Sequence, residues 1–129
     1  HRDADRGGLA VVELALVLPV MFILVFGSLE ICQRLLLRQA AVVSAYESAR
    51  LAARRTVNAD RVVSRGEALL GDRRVTDGTV TVNPESLDSL TPGTQVQVTV
   101  TIPIAGNTGI SYVLPTTGSI SVVATMLRE

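Results

Sequence analysis

One ionisable side chain stands out by its surroundings. Glu13 lies inside Leu9–Leu29, a run of ~21 residues that is almost wholly apolar. Insertion scales put a charge at the centre of a membrane helix at ~2.5–3.5 kcal/mol, so a carboxylate in such a run needs water or a counter-charge. Water is within reach if Glu13 lies near the interface and snorkels outward. A counter-charge follows from the residues just before it. Gly7 and Gly8 precede the run, with Arg2 and Arg6 on the same side. If a peptidase cuts after Gly8, Leu9 gains a free α-amino group, cationic near neutral pH, and Glu13 becomes the fifth residue. Residues four apart share a helix face. The amine then pairs with Glu13 of its own chain or of a neighbour, which offsets the burial of charge and sets axial register between subunits. In that case Gly8–Leu9 is the bond cut and Glu13 the residue that pairs with the new chain end.

Other chemistry is sparse. His1 is the only histidine and Cys32 the only cysteine. Neither a His/Cys metal cluster nor a Ser-His-Asp triad can be drawn, and a Walker-type glycine loop is missing. The paired acids Asp72 with Asp77 and Glu85 with Asp88 read as solvated turn residues. Cys32 cannot form an intrachain disulfide and reads as a free, membrane-proximal thiol. No catalytic activity, cofactor or metal is expected. The 12 basic residues, all arginine, balance 12 acidic ones, and aromatics make up 3% with no Trp. A nucleic-acid partner is therefore not expected: there is neither a basic field nor a stacking surface.

The elements that must position Glu13 follow from hydropathy. Mean hydropathy is +0.38 over 129 residues, and the excess lies before residue 55. As a helix, Leu9–Leu29 reaches about 31 Å, close to a hydrocarbon core, so the lipid bilayer is the first expected partner. A cleaved secretory signal fits poorly, because the apolar run from Leu14 to Leu29 is too long and Glu30-Ile31-Cys32-Gln33 offers no small-residue cleavage site. Pro19 can kink the helix, and Gly27 and Ser28 permit close helix approach. Neither Gly nor Pro interrupts Glu30–Arg55, so the helix is expected to continue from Leu9 as an amphipathic stem. Leu36, Ala40, Val43 and Ser44 lie on one stem face, with Leu37, Ala41 and Ala45 beside them. Arg34, Arg38, Glu47 and Arg50 supply polar positions, and Arg54 and Arg55 suit the helix end.

A second helix is expected from Ala59 to about Leu70, capped by Asn58, stopped by Gly71, and facing inward with Val62, Val63, Leu69 and Leu70. After Asp77-Gly78 the period becomes two. Val80 and Val82, then Val96 to Ile104, then Ile120 to Met126 give three strands with one apolar face each. Pro103 ends the second strand or places it at an edge. An edge rich in Thr and Gln there could take a strand from another subunit. Residues 103–118 form a long, uncommitted connection. The fold class is α+β: a long N-terminal transmembrane helix, continuing into an amphipathic stem, packed on a small antiparallel sheet of about three strands.

Arg6 to Pro19, RGGLAVVELALVLP, resembles the N-terminus of TadE-like proteins, pseudopilins or minor pilins of the Tad (Flp) type IV pilus family. Their pattern is a Gly at the cleavage point, four residues, Glu, then usually an aromatic; Leu14 occupies the aromatic position here. Ala45–Ala52 resembles the family's stem segment, with Ser48 where Gly is common, and Val122–Glu129 looks like its closing strand. The resemblance implies a division into a prepilin-type leader at 1–8, incomplete because the chain starts at His1 rather than Met, a transmembrane helix at 9–29, a stem at 30–55 and an extracytoplasmic α+β domain at 56–129. It implies a single-pass protein of the inner membrane, cut by a prepilin peptidase between Gly8 and Leu9. Other pilins and pilus-assembly membrane proteins are the implied partners, and assembly of a Tad pilus or allied secretion apparatus the implied role. Charge alone does not orient the span, since Arg2 and Arg6 on one side face Arg34 and Arg38 on the other. The alternative reading is a signal-anchored extracytoplasmic ligand-binding or sensor domain, with the sheet and the long loop as its working surface.

Overall fold

A computed structural model describes residues 2–129, with side chains from residue 7 onward; His1 lies outside the described residues, as do the side chains of Arg2 and Arg6. Helix α1 spans Arg2–Ala52 and α2 spans Ala59–Asp72. Strands β1 (Thr79–Asn83), β2 (Gln95–Pro103) and β3 (Ser119–Leu127) form one antiparallel sheet in the order β1-β2-β3. The α+β architecture expected from the change of period is the one observed.

Helix α1 begins before Leu9. Its backbone runs through Gly7 and Gly8, where an added Cβ would meet nothing, and through Pro19. Glycine in a helix costs about 1 kcal/mol against Ala but does not by itself end it. The other end comes at Ala52, short of Arg55. There the chain's C-terminal residues take over the last carbonyls. The buried Arg128 guanidinium donates to Ala52 O (2.9 Å) and Arg55 O (3.0 Å), and Glu129 N donates to Ala53 O (2.9 Å). A cation satisfying orphan carbonyls at a helix C-terminus is favourable on both hydrogen-bond and dipole grounds. Arg54 and Arg55, expected in that role, are exposed, and Arg55 instead donates to Glu129 O.

The stem buries Leu37, Ala40, Ala41, Ser44, Ala45, Ser48, Ala49 and Ala52. Ala40 and Ser44 of the expected face are in this stripe, whereas Leu36 is 59% exposed and lines an open groove with Val43, Arg73, Arg74 and Val75. The small side chains let α1 approach its neighbours closely. On one side it meets α2, where Ser44 Oγ donates to Gly66 O (2.9 Å) and a Cβ on Gly66 would lie 2.7 Å from Ser48 Oγ and 2.9 Å from the Val80 methyls. On the other it packs on β2 and β3.

Asn58 caps α2 as expected, its side chain accepting from Arg61 N at 3.2 Å. Gly71 does not stop the helix. It lies in the last turn, and the left-handed residue that closes it is Arg74 (φ 58), whose N–H bonds to Gly71 O. Val62 and Leu70 are buried, while Val63 and Leu69 are half-buried.

In the sheet, Val80, Val82, Val96, Val98, Val100 and Ile102 point to the helices, while Thr79, Thr81, Gln95 and Ser121 face outward. Full burial of a Val or Ile side chain contributes roughly 1.5–3 kcal/mol, so this face and the alanine stripe hold the domain together. Strand β2 is central, flanked by β1 (Thr79↔Thr101 to Asn83↔Gln97) and β3 (Gln95↔Leu127 to Pro103↔Ser119). Of the two outcomes expected from Pro103, the structure shows the first: the proline ends β2, where a missing N–H is tolerated, and the central β2 has no free edge for another strand.

Candidate functional site

Gly8, Leu9 and Glu13 all lie on α1, and the Gly8–Leu9 peptide is inside the helix. Leu9 and Glu13 are exposed and one turn apart. The apolar stretch around them reaches a mean hydropathy of 2.8 over an 18-residue window, and none of that window is buried within the chain. Leu14, Leu16, Val20, Phe22, Ile23 and Leu24 present apolar surface on every side. This helix, apolar all round and uncovered by its own domain, is long and apolar enough to cross a membrane.

The structure adds a second carboxylate. Glu30, the first residue past the apolar run, is only 2% exposed. Its carboxylate accepts three successive backbone N–H groups of the 104–118 loop: Tyr112 and Val113 (2.8 Å) on Oε1, and Leu114 (2.7 Å) on Oε2. Gln33 and Arg34, three and four residues on, share its helix face. Gln33 Oε1 accepts Gly109 N (3.1 Å) and Ile110 N (3.4 Å), and Arg34 donates to Pro115 O (2.5 Å). Burial pushes the Glu30 carboxyl upward. The three backbone N–H bonds and the nearby Arg34 pull it down, and the balance leaves it below its ordinary value.

The loop is fixed at its base as well. Ile104 N donates to Gly118 O (3.0 Å), closing its neck. Asn107 accepts from Thr76 N (2.8 Å) through Oδ1 and donates through Nδ2 to Thr76 O (2.8 Å) and Pro103 O (2.9 Å). The long connection is therefore a braced element. Tyr112 then packs edge-on against Phe26 of α1, ring centroids 5.9 Å apart.

This arrangement positions a loop against the helix that carries Glu30. Cys32 is exposed and unbridged, and Asp72, Asp77, Glu85 and Asp88 are exposed. Among the described residues no group of three His, Cys, Asp or Glu side chains could hold a metal ion.

Residues 8–50 match the TadE-like protein family. The TadE-like segment thus contains Gly8, Leu9 and Glu13, and also Glu30, Gln33 and Arg34. It ends before the sheet, so the loop that Glu30 grips lies outside the matched residues. No curated protein and no solved structure matches the chain. The match covers the apolar helix and most of the stem, and no part of the sheet.

Sequence reasoning passed over Glu30 because it stood at the end of the apolar run, where a charge is unremarked. A signal was present: Glu30, Gln33, Arg34 and Leu37 fall at i, i+3, i+4 and i+7, and a helix face holding a polar cluster and then continuing as core is a docking face.

Proposed function

We propose that the chain is a membrane-anchored pseudopilin that takes part in assembling a Tad/Flp-type pilus or allied secretion apparatus, without catalysing a reaction itself. In this reading a prepilin peptidase removes residues 1–8, the span stays in the inner membrane, and the sheet domain lies outside the cytoplasm. The observation that carries it is Glu13: one carboxylate, one turn after Leu9, on a TadE-like helix whose apolar surface is uncovered on every side.

The physical logic joins two unmet needs. An uncovered apolar helix finds lipid or other helices. A carboxylate on it finds a cation, and the nearest one that processing would create is the Leu9 α-amine, of the same chain or of a neighbour. Pairing between chains fixes how far one helix is shifted along the next. The stem supports the same role, because Ile31, Leu35, Val42 and Tyr46 are exposed on it away from the sheet-facing stripe.

Replacing Glu13 by Ala or Gln tests the role. Membrane insertion should persist, since the change only makes the span more apolar, while co-purification with pilus-assembly proteins and pilus formation should fall steeply. If both persist, and changes on the sheet or the 104–118 loop abolish function instead, the chain is a signal-anchored binding or sensor domain.

A further inference from the structure

The 104–118 loop ends in an apolar tip beside the last turn of the membrane helix. Phe26 lies about 4.5 Å of helix rise before Leu29, where the apolar run ends. Tyr112 contacts that ring and is nevertheless 82% exposed. Val113, next to it, is 44% exposed and approaches Gly27, on which an added Cβ would lie 3.9 Å from the valine's Cγ1. The tip thus sits beside the end of the apolar run, touching α1 while Tyr112 and Val113 stay exposed.

Two more observations suit that level. No residue between Asp88 and Arg128 is charged, so the whole loop can approach lipid without desolvating an ion. Five of its backbone N–H groups and one carbonyl are also satisfied by α1. The N–H groups of Gly109, Ile110, Tyr112, Val113 and Leu114 bond to Gln33 or Glu30, and Pro115 O bonds to Arg34. Irregular backbone is costly near hydrocarbon unless protein groups take up its polar groups, and here α1 takes up most of the donors at the tip. Tyrosine, with an apolar ring and a polar tip, is enriched at that depth.

We infer that the Tyr112-Val113 tip is a second membrane contact, seated in the interfacial layer of the leaflet from which the stem emerges. Its partner is the headgroup and upper acyl region of a phospholipid bilayer. The contact fixes the domain's rotation and tilt against the surface, because one helix alone leaves both free. It rests on the reading of α1 as a bilayer span.

The test uses the full chain in vesicles made of equal phosphatidylethanolamine and phosphatidylglycerol. In a Cys32→Ser background, a single cysteine carrying an environment-sensitive fluorophore is placed at Val113, at Tyr112, at Phe22 as the deep reference, and at Thr81 as the aqueous reference. The tip positions should show blue-shifted emission and stronger quenching by lipids spin-labelled near the headgroup than by lipids labelled deep in the chain. Phe22 should show the opposite depth order, and Thr81 neither effect. If the tip probes behave like Thr81 while Phe22 is quenched, the inference fails and the span stands. A blue shift at the tip without lipid quenching means a protein contact and also overturns it. If Phe22 itself is not quenched, the span reading falls, and the inference with it.

Discussion

Glu30 illustrates how one side chain can order a segment 80 residues away in sequence. A carboxylate offers several acceptor sites and a tight turn offers successive N–H groups, so a single buried Glu organises the loop tip that no strand or helix stabilises. Because folding lowers its proton affinity, the sign of the pH effect is fixed. The contribution is fully present above the ordinary value of 4.5 and is lost as pH falls through the lower folded value. Arg34, on the same helix, is the charge facing it, and from the loop only Tyr112 is titratable. Acidification below that range should therefore speed amide hydrogen exchange at Tyr112, Val113 and Leu114 while the β2 amides stay protected. Glu30→Gln should loosen the same three amides at neutral pH, by on the order of tenfold, since the new NH2 faces an N–H it cannot accept. Arg128 is the matching case at the other end of the stem. Arg128→Ala leaves two carbonyls near the α1 terminus without their charged donor and should cost about 2 kcal/mol in denaturant unfolding of the chain in detergent.

Helices α1 and α2 and strand β1 meet closely at Gly66. Gly66→Ala would force its methyl against Ser48 and Val80, which are held by α1 and β1, and should destabilise by about 1–3 kcal/mol. Adding Ser48→Gly should recover only part of this, because the Val80 contact remains. This crossing was not legible in the sequence: nothing about one glycine in an amphipathic helix says which serine it will face. The elements themselves were legible. The switch from a helical to a two-residue period located all three strands, and Asn58 marked the start of α2. What failed were signals that depend on partners. Gly71 looked like a stop, yet Arg74 closes the helix. Of the stem face that carries Leu36, Ala40, Val43 and Ser44, Ala40 and Ser44 are buried while Leu36 is exposed. Pro103 left two outcomes open, and it ends the central strand. Of the candidate site, Gly8, Leu9 and Glu13 could be read locally, whereas the Glu30 grip required knowing where residues 109–115 return in space.

The chain as a whole divides its apolar surface in two. The stem and sheet bury theirs against each other; the N-terminal half of α1 leaves its own uncovered along the helix. On the proposed function, that asymmetry suits an anchored assembly subunit, with a rigid domain outside and an adhesive helix inside the bilayer. In the same proposal, activation depends on creating a cation at one end of that helix. Co-expression with a prepilin peptidase, followed by intact-protein mass measurement, reads this out. The account predicts a mature chain that begins at Leu9 and carries Glu13 as its fifth residue. A chain that keeps the Gly8–Leu9 bond yet assembles normally would contradict it.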